Sequence, residues 1–218
     1  MNSKAQITEH IQDKQEEIAN TISHGVMAAI MLLALPFTAV WTYTQHGVLA
    51  SATTSVYVIA IFLMFLSSTI YHAMSHNTQH KHVGNIIDHS MIFVAIAGTY
   101  TPIAIVTIGG WQGIVIVSVQ WTLTILGIIY KSIAINKYKR LSQIIYLLMG
   151  WLILMFIKPF SENASGQMTF FIILGCVLYT IGALFFIKKG WFKYHHLVWH
   201  IFINLATAAH FIAVIFCL

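Results

Sequence analysis

The sequence predicts an all-α membrane protein: a bundle of seven transmembrane helices, amino terminus cytoplasmic and carboxyl terminus outside. Three observations predict it. Apolar runs of about 20 residues, each enough to cross a bilayer, recur along the chain. The 218 residues are 58% hydrophobic and only 8% charged, a balance that no water-soluble core of this size requires. Every Lys and Arg except Lys158 falls at the amino terminus or in alternate gaps between runs, so by the positive-inside rule those gaps face the cytoplasm.

Residues 1–20 are too polar for a secretory signal, and no small-residue cleavage pattern follows the first apolar run, which is expected to stay as an uncleaved span. They form a cytoplasmic amino-terminal segment. Ile7, Ile11 and Ile18 share one side of a helix whose other faces carry Glu9, Asp13, Lys14 and Glu16, the pattern of a helix lying on the membrane surface; a frayed soluble tail is the alternative. Residues 21–218 make a single transmembrane domain with spans at 21–43, 50–73, 86–107, 111–130, 141–157, 168–187 and 196–217. Breakers fill the gaps: "QHG" near 46, "SHNTQHKHVGN" at 75–85, "GGWQG" at 109–113, "NKYKR" at 136–140, "PFSENASG" at 159–166 and "KKGWFKYH" at 188–195.

The net charge of +5 does not point to nucleic acid, because the basic residues sit in short gaps where anionic lipid is the nearer partner. Cys176 and Cys217 lie inside apolar runs, too few and too deep for a disulfide framework or a thiolate metal site.

Polar residues converge at one depth. Span two ends with "SSTIYHAMSH", which brings His72 to the cytoplasmic side with Ser68 one turn deeper on the same face. Span three starts on that side and carries Asp88, the only Asp or Glu between residues 18 and 161; an ionisable group inside a span is costly enough to mark function. Span seven starts there too, with His196 and His200 one turn apart on one face. An i, i+4 histidine pair means little by itself in a chain with 12 histidines, since His72/His76 and His76/His80 show the same spacing. Shared depth supplies the specificity. Three imidazoles with one open position match a catalytic zinc site, Asp88 being placed to accept a proton from its water and Ser68 to orient that water or stabilise an oxyanion. Taken singly, each residue has a plainer reading: an interfacial or core histidine, a carboxylate held by the helix dipole, a serine bonded to its own helix.

The remaining histidines rank below these. His24, at the start of span one, lines the same cavity as a supporting group. His76, His80 and His82 belong to a solvated loop; His89 points about 100° from Asp88, and His195 is similarly displaced from His196. His210 lies about 15 Å beyond His200 along span seven, too far to share an ion. His10 and His46 read as surface residues.

Ser68-x3-His72, Asp88 and His196-x3-His200, with "EEIANTISHG" at 16–25 and "AGTYTP" at 97–102, resemble the hemolysin III family within the progestin and adipoQ receptor superfamily. The resemblance covers the chain from residue 16 to its end. It implies a seven-helix bundle in a cell membrane, that of a bacterium, with zinc held by His72, His196 and His200 near the inner leaflet and Asp88 and Ser68 beside its water. Related adiponectin receptors and alkaline ceramidases hydrolyse ceramide amides. The resemblance therefore implies a zinc-dependent lipid hydrolase, a ceramidase-like amidase acting in membrane lipid homeostasis, with membrane lipids as partners and substrate. Bacterial members are named for haemolysis, which keeps open a pore-forming cytolysin; the outer halves of the spans offer few polar side chains, so a pore would need an oligomer. A lipid-sensing regulator with structural zinc is the third reading, against which stands the missing fourth protein ligand.

Overall fold

A computed structural model of the chain describes residues 3–75, 78–134, 139–187 and 193–218. All its regular elements among the described residues are helical. They run α1 (Ser3–Ala73), α2 (Gln79–Pro102), a π-helical turn (Ile103–Ile108), α3 (Gly110–Ala134), α4 (Lys139–Gly150), a 3-10 turn (Leu152–Phe156), α5 (Ile157–Asn163), α6 (Gly166–Ile187) and α7 (His195–Phe216). Six helical segments among the described residues are long and apolar enough to cross a membrane. Their outer faces carry Leu33, Val40, Ile125, Leu126, Ile133 and Phe170, all more than half exposed. An apolar belt of this extent is stable only against hydrocarbon, which makes the chain a multi-pass membrane protein.

The expected loop near residue 46 is reduced to one residue. Gly47 adopts φ 81° and ψ −172°, a conformation open to glycine and strained for other residues, with helix on either side. The break reverses the chain: the hydroxyls of Thr42 and Thr54 meet at 2.9 Å, and Ser51 Oγ donates to the carbonyl of Ala39 at 2.8 Å. In an unbroken helix residues twelve apart would stand about 18 Å from each other. The two limbs of α1 therefore lie side by side, and at their far ends Glu17 meets His72 at 3.1 Å. Helix also extends upstream of the first apolar run without interruption to Ser3. Ile7 and Ile11 belong to a stretch whose side chains are outside the described residues.

The second limb sits in the middle of the bundle, with Tyr57, Val58, Ile61 and Phe65 fully buried. It takes α2 at close range: a Cβ on Gly98 would stand 2.4 Å from that of Ala60, so glycine permits the approach. α2 begins at Gln79, capped by the Thr78 hydroxyl accepting from Lys81 N–H at 3.1 Å, seven residues before the apolar run that identifies it. His80 and His82, expected in a loop, stand exposed on its first turn, while His76 is outside the described residues.

The run expected at 141–157 falls within one candidate span, Leu141–Asn163, but its helix is broken. Helix α4 stops at Gly150, Trp151 leaves helical geometry at φ −92° and ψ 6°, and a 3-10 turn leads into α5. Backbone groups released at such a break need partners when no water is at hand. Tyr100 supplies two: its hydroxyl donates to the carbonyl of Gly150 at 2.8 Å and accepts from Ile153 N–H at 2.9 Å. Gln120 Nε2 donates to the Met149 carbonyl at 2.9 Å. The segments expected at 136–140 and 188–195 lie partly outside the described residues.

Candidate metal centre

The centre lies where the ends of both α1 limbs, the early turns of α2 and the start of α7 meet. On the second limb of α1, Ser68 and His72 follow Phe65 at helical spacing and are buried; on the first limb Asn20 and His24 are buried on the same stripe as Ala28 and Met31. From α7 come His196, half-buried, and His200, which has no exposed surface.

One ring nitrogen from each of His72, His196 and His200 lies within 4.8 Å of one from each of the others, a grouping able to hold a metal ion. His72 and His196 approach closest, Nε2 to Nε2 at 3.4 Å. Two nitrogens bound to one tetrahedral zinc at about 2.0–2.1 Å stand about 3.3 Å apart, so the spacing fits. The Nε2 of His200 is buried with no hydrogen-bond partner, a costly state for an imidazole that an ion would relieve. These donors fit a zinc ion.

Around the three rings stand further polar groups. Glu17 Oε2 accepts from His72 Nδ1 at 3.1 Å and from Lys81 Nζ at 2.9 Å. Ser23 Oγ is 3.1 Å from His200 Nδ1, and Glu16 Oε1 accepts from the backbone N–H of His196 at 3.2 Å, satisfying a free donor in the first turn of α7. Asp88 is buried, with the Ser68 hydroxyl in hydrogen-bonding reach and His72 and the buried Lys131 as its neighbours. Because α2 starts at Gln79, Asp88 is nine residues in, beyond the first turn where a helix dipole holds a carboxylate.

The structure thus brings His72, His196, His200, Asp88 and Ser68 to one end of the bundle. His24 is there as well, buried and stacked on His200 with ring centroids 3.6 Å apart and planes 6° from parallel. Its two nitrogens have no partner. His89 Nδ1 bonds the Asn85 carbonyl at 2.9 Å and passes 3.6 Å from Asp88 Oδ2; His195 stands outside the three-ring group. His210 bonds the Ile172 carbonyl at 3.1 Å, far from the centre, and His46 is exposed.

An apolar cavity of about 140 Å³ starts at His24, Ser68 and Asp88 and runs between α2, α4, α6 and α7 to Tyr179 and His210. Most of its wall is hydrocarbon and aromatic, the surroundings an aliphatic chain needs.

Sequence reasoning missed Glu17, Ser23 and Lys131. Lys131 was counted among gap charges, yet its side chain is buried beside Asp88. A signal for Glu17 existed: Glu17, Asn20 and His24 stand at i, i+3 and i+7, one helix face.

The Haemolysin-III related family model matches residues 12–211. Hemolysin-3 of Bacillus cereus is 36% identical over 211 residues, covering 96% of this chain and 95% of that protein. The Hemolysin-3 homolog of Bacillus subtilis (strain 168) is 35% identical over 202 residues, 93% of this chain and 94% of the relative. The human Monocyte to macrophage differentiation factor is more distant, 25% identical over 211 residues, with 91% and 83% covered. With the family model matching nearly the whole chain and relatives at 35–36% identity over more than nine-tenths of it, the chain belongs to the Haemolysin-III related family.

Proposed function

We propose that the protein is an intramembrane zinc hydrolase that cleaves an amide or ester of a membrane lipid. The observation that carries this reading is the three-histidine group set beside the Ser68–Asp88 pair, which lines an apolar cavity. His72, His196 and His200 are the proposed ligands. Bound there, zinc would supply Lewis acidity, acidifying water and polarising a carbonyl at neutral pH.

The chain's own residues do the rest. The cavity accepts the acyl chain and keeps bulk water from the reacting carbonyl. Asp88 takes a proton from the water as it attacks the carbonyl carbon. When the C–N or C–O bond breaks, Asp88 returns that proton to the departing amine or alcohol, leaving a fatty acid. Ser68 gives its one hydroxyl proton to the resting carboxylate and, once Asp88 has taken the water's proton, turns that donor to the carbonyl oxygen as negative charge gathers there.

The reading extends to topology. The two antiparallel limbs of α1 count as two spans, giving seven with the other five segments, and the positive-inside rule puts the amino terminus and metal centre on the cytoplasmic side of a bacterial plasma membrane. Residues 1–20 are the cytoplasmic segment and 21–218 the transmembrane domain. Substrate then enters sideways from the inner leaflet.

The relatives' name, Hemolysin-3, favours lysis as a second reading. Among the described residues the buried acid and lysine, Asp88 and Lys131, lie at one end of the bundle, so a single chain offers little charge along a path across the bilayer. A pore would therefore be oligomeric, and dye leakage from liposomes would survive loss of the histidines.

The test is lipidomics of cells expressing wild type or Asp88→Asn. The variant is expected to keep its zinc and lose fatty-acid release; release at the wild-type rate would reject the proton-transfer role.

A further inference from the structure

We infer that Glu17 is a positioning residue that fixes the tautomer of His72, turning its Nε2 lone pair to the centre, with Lys81 holding the carboxylate in place. The inference rests on the metal reading above and adds to it a reason why the rings are oriented before any ion arrives.

The argument is one of proton counting. A neutral imidazole has one N–H and one lone pair. An ionised carboxylate only accepts, so the 3.1 Å contact from His72 Nδ1 to Glu17 Oε2 places the ring's proton on Nδ1. Nε2 is then a lone-pair donor, and it is the atom that faces His196. Lys81 reaches the same oxygen at 2.9 Å and donates also to the Met74 carbonyl at 3.2 Å, which ties the carboxylate to the turn between α1 and α2.

His200 obeys the same logic through a different group. The hydroxyl of Ser23 has one proton, and it goes to the Asn20 carbonyl at 2.9 Å. Ser23 Oγ can then only accept from His200, so Nδ1 of that ring carries the proton and the partnerless Nε2 carries the lone pair. Two of the three rings are therefore set by the first limb of α1, His72 through Glu17 and His200 through Ser23. A carboxylate behind a ligating histidine raises its basicity as well as aiming it, and losing such a partner typically costs about 10–100-fold in metal affinity.

The experiment uses the full chain in detergent or nanodiscs, with zinc itself as probe. Competition against a chromophoric chelator gives the affinity of wild type, Glu17→Gln, Lys81→Met and, as a remote control, the exposed Glu162→Gln; two-bond proton–nitrogen NMR of the metal-free protein reads the tautomer of His72. Expected are an Nδ1–H tautomer in wild type and Glu162→Gln, a mixed tautomer with affinity weakened about 10–100-fold in Glu17→Gln, and a smaller loss in Lys81→Met. Wild-type affinity and an unchanged Nδ1–H signal in Glu17→Gln would overturn the inference. Absence of zinc binding by wild type would instead strike the metal reading, and the tautomer would still decide the role of Glu17. If Glu17→Gln does not accumulate, Lys81→Met carries the same test, and unchanged affinity and tautomer there would overturn the anchored-carboxylate arrangement.

Discussion

His200→Ala is the sharpest test of the centre, since this ring has no exposed surface and an orphaned Nε2. Structural zinc sites bind with about 10–16 kcal/mol across four ligands, or about 2.5–4 kcal/mol for each, and 1.4 kcal/mol is a factor of ten. Removing one nitrogen should therefore weaken zinc by about 10²–10³-fold. The substitution also deletes the ring stacked 3.6 Å from His24, so it destabilises the apo protein by a cavity cost of its own. The assay must separate these effects. Zinc per chain is measured by mass spectrometry after dialysis, and the midpoint of thermal unfolding is followed with zinc and with EDTA. For wild type, free zinc at about 100 times its Kd adds about 2.7 kcal/mol of stability; the variant at the same zinc concentration should gain a few tenths at most. Its EDTA midpoint falls for packing reasons alone. Equal zinc content in the two proteins, or an equal zinc-dependent rise in midpoint, would refute the assignment of His200 as a ligand.

Two further outcomes follow from other contacts. Ala183→Trp places an indole in a cavity of about 140 Å³, so it should block fatty-acid release while leaving zinc content unchanged; release in a lipid assay at the wild-type rate would mean that the cavity does not hold substrate. Tyr100→Phe strips both partners from the break after α4, exposing one carbonyl and one N–H to hydrocarbon. At about 1–3 kcal/mol for each unsatisfied group, it should cost about 2–6 kcal/mol in reversible unfolding, with zinc affinity unaffected; a loss under about 1 kcal/mol would show that the break finds other partners.

How much was legible beforehand depended on whether a feature is local. The approach of His72, Asp88 and His196 could be foreseen because helix rise fixes depth in a bundle: three spans that begin or end on one side bring their terminal residues to one level. Local signals failed where a distant side chain decides the backbone. Nothing in "YLLMGWLIL" announces a stop at Gly150, because the break is stabilised by Tyr100, fifty residues away. Hydropathy also misplaced the helix ends. It finds where apolar sequence begins, but α2 starts at Gln79, so residues assigned to a gap are helical, and the helix expected ahead of the first span runs into that span without interruption.

That extra helix explains why the supporting groups stayed hidden. Glu16 reads as the wet face of a surface helix, and Glu17 has no assigned role, as long as the first span starts at 21. Once α1 runs straight through, they stand at the level of His72 and His196, and their charge is spent on an imidazole and a helix terminus. Only the antiparallel pairing forced by Gly47 brings Glu17 within reach of a residue 55 positions later. The ligands are thus set by spacing within single helices, whereas their orientation is set by a fold-back, and a one-residue slip between the limbs of α1 would carry Glu17 about 100° around its helix and away from the ring it aims.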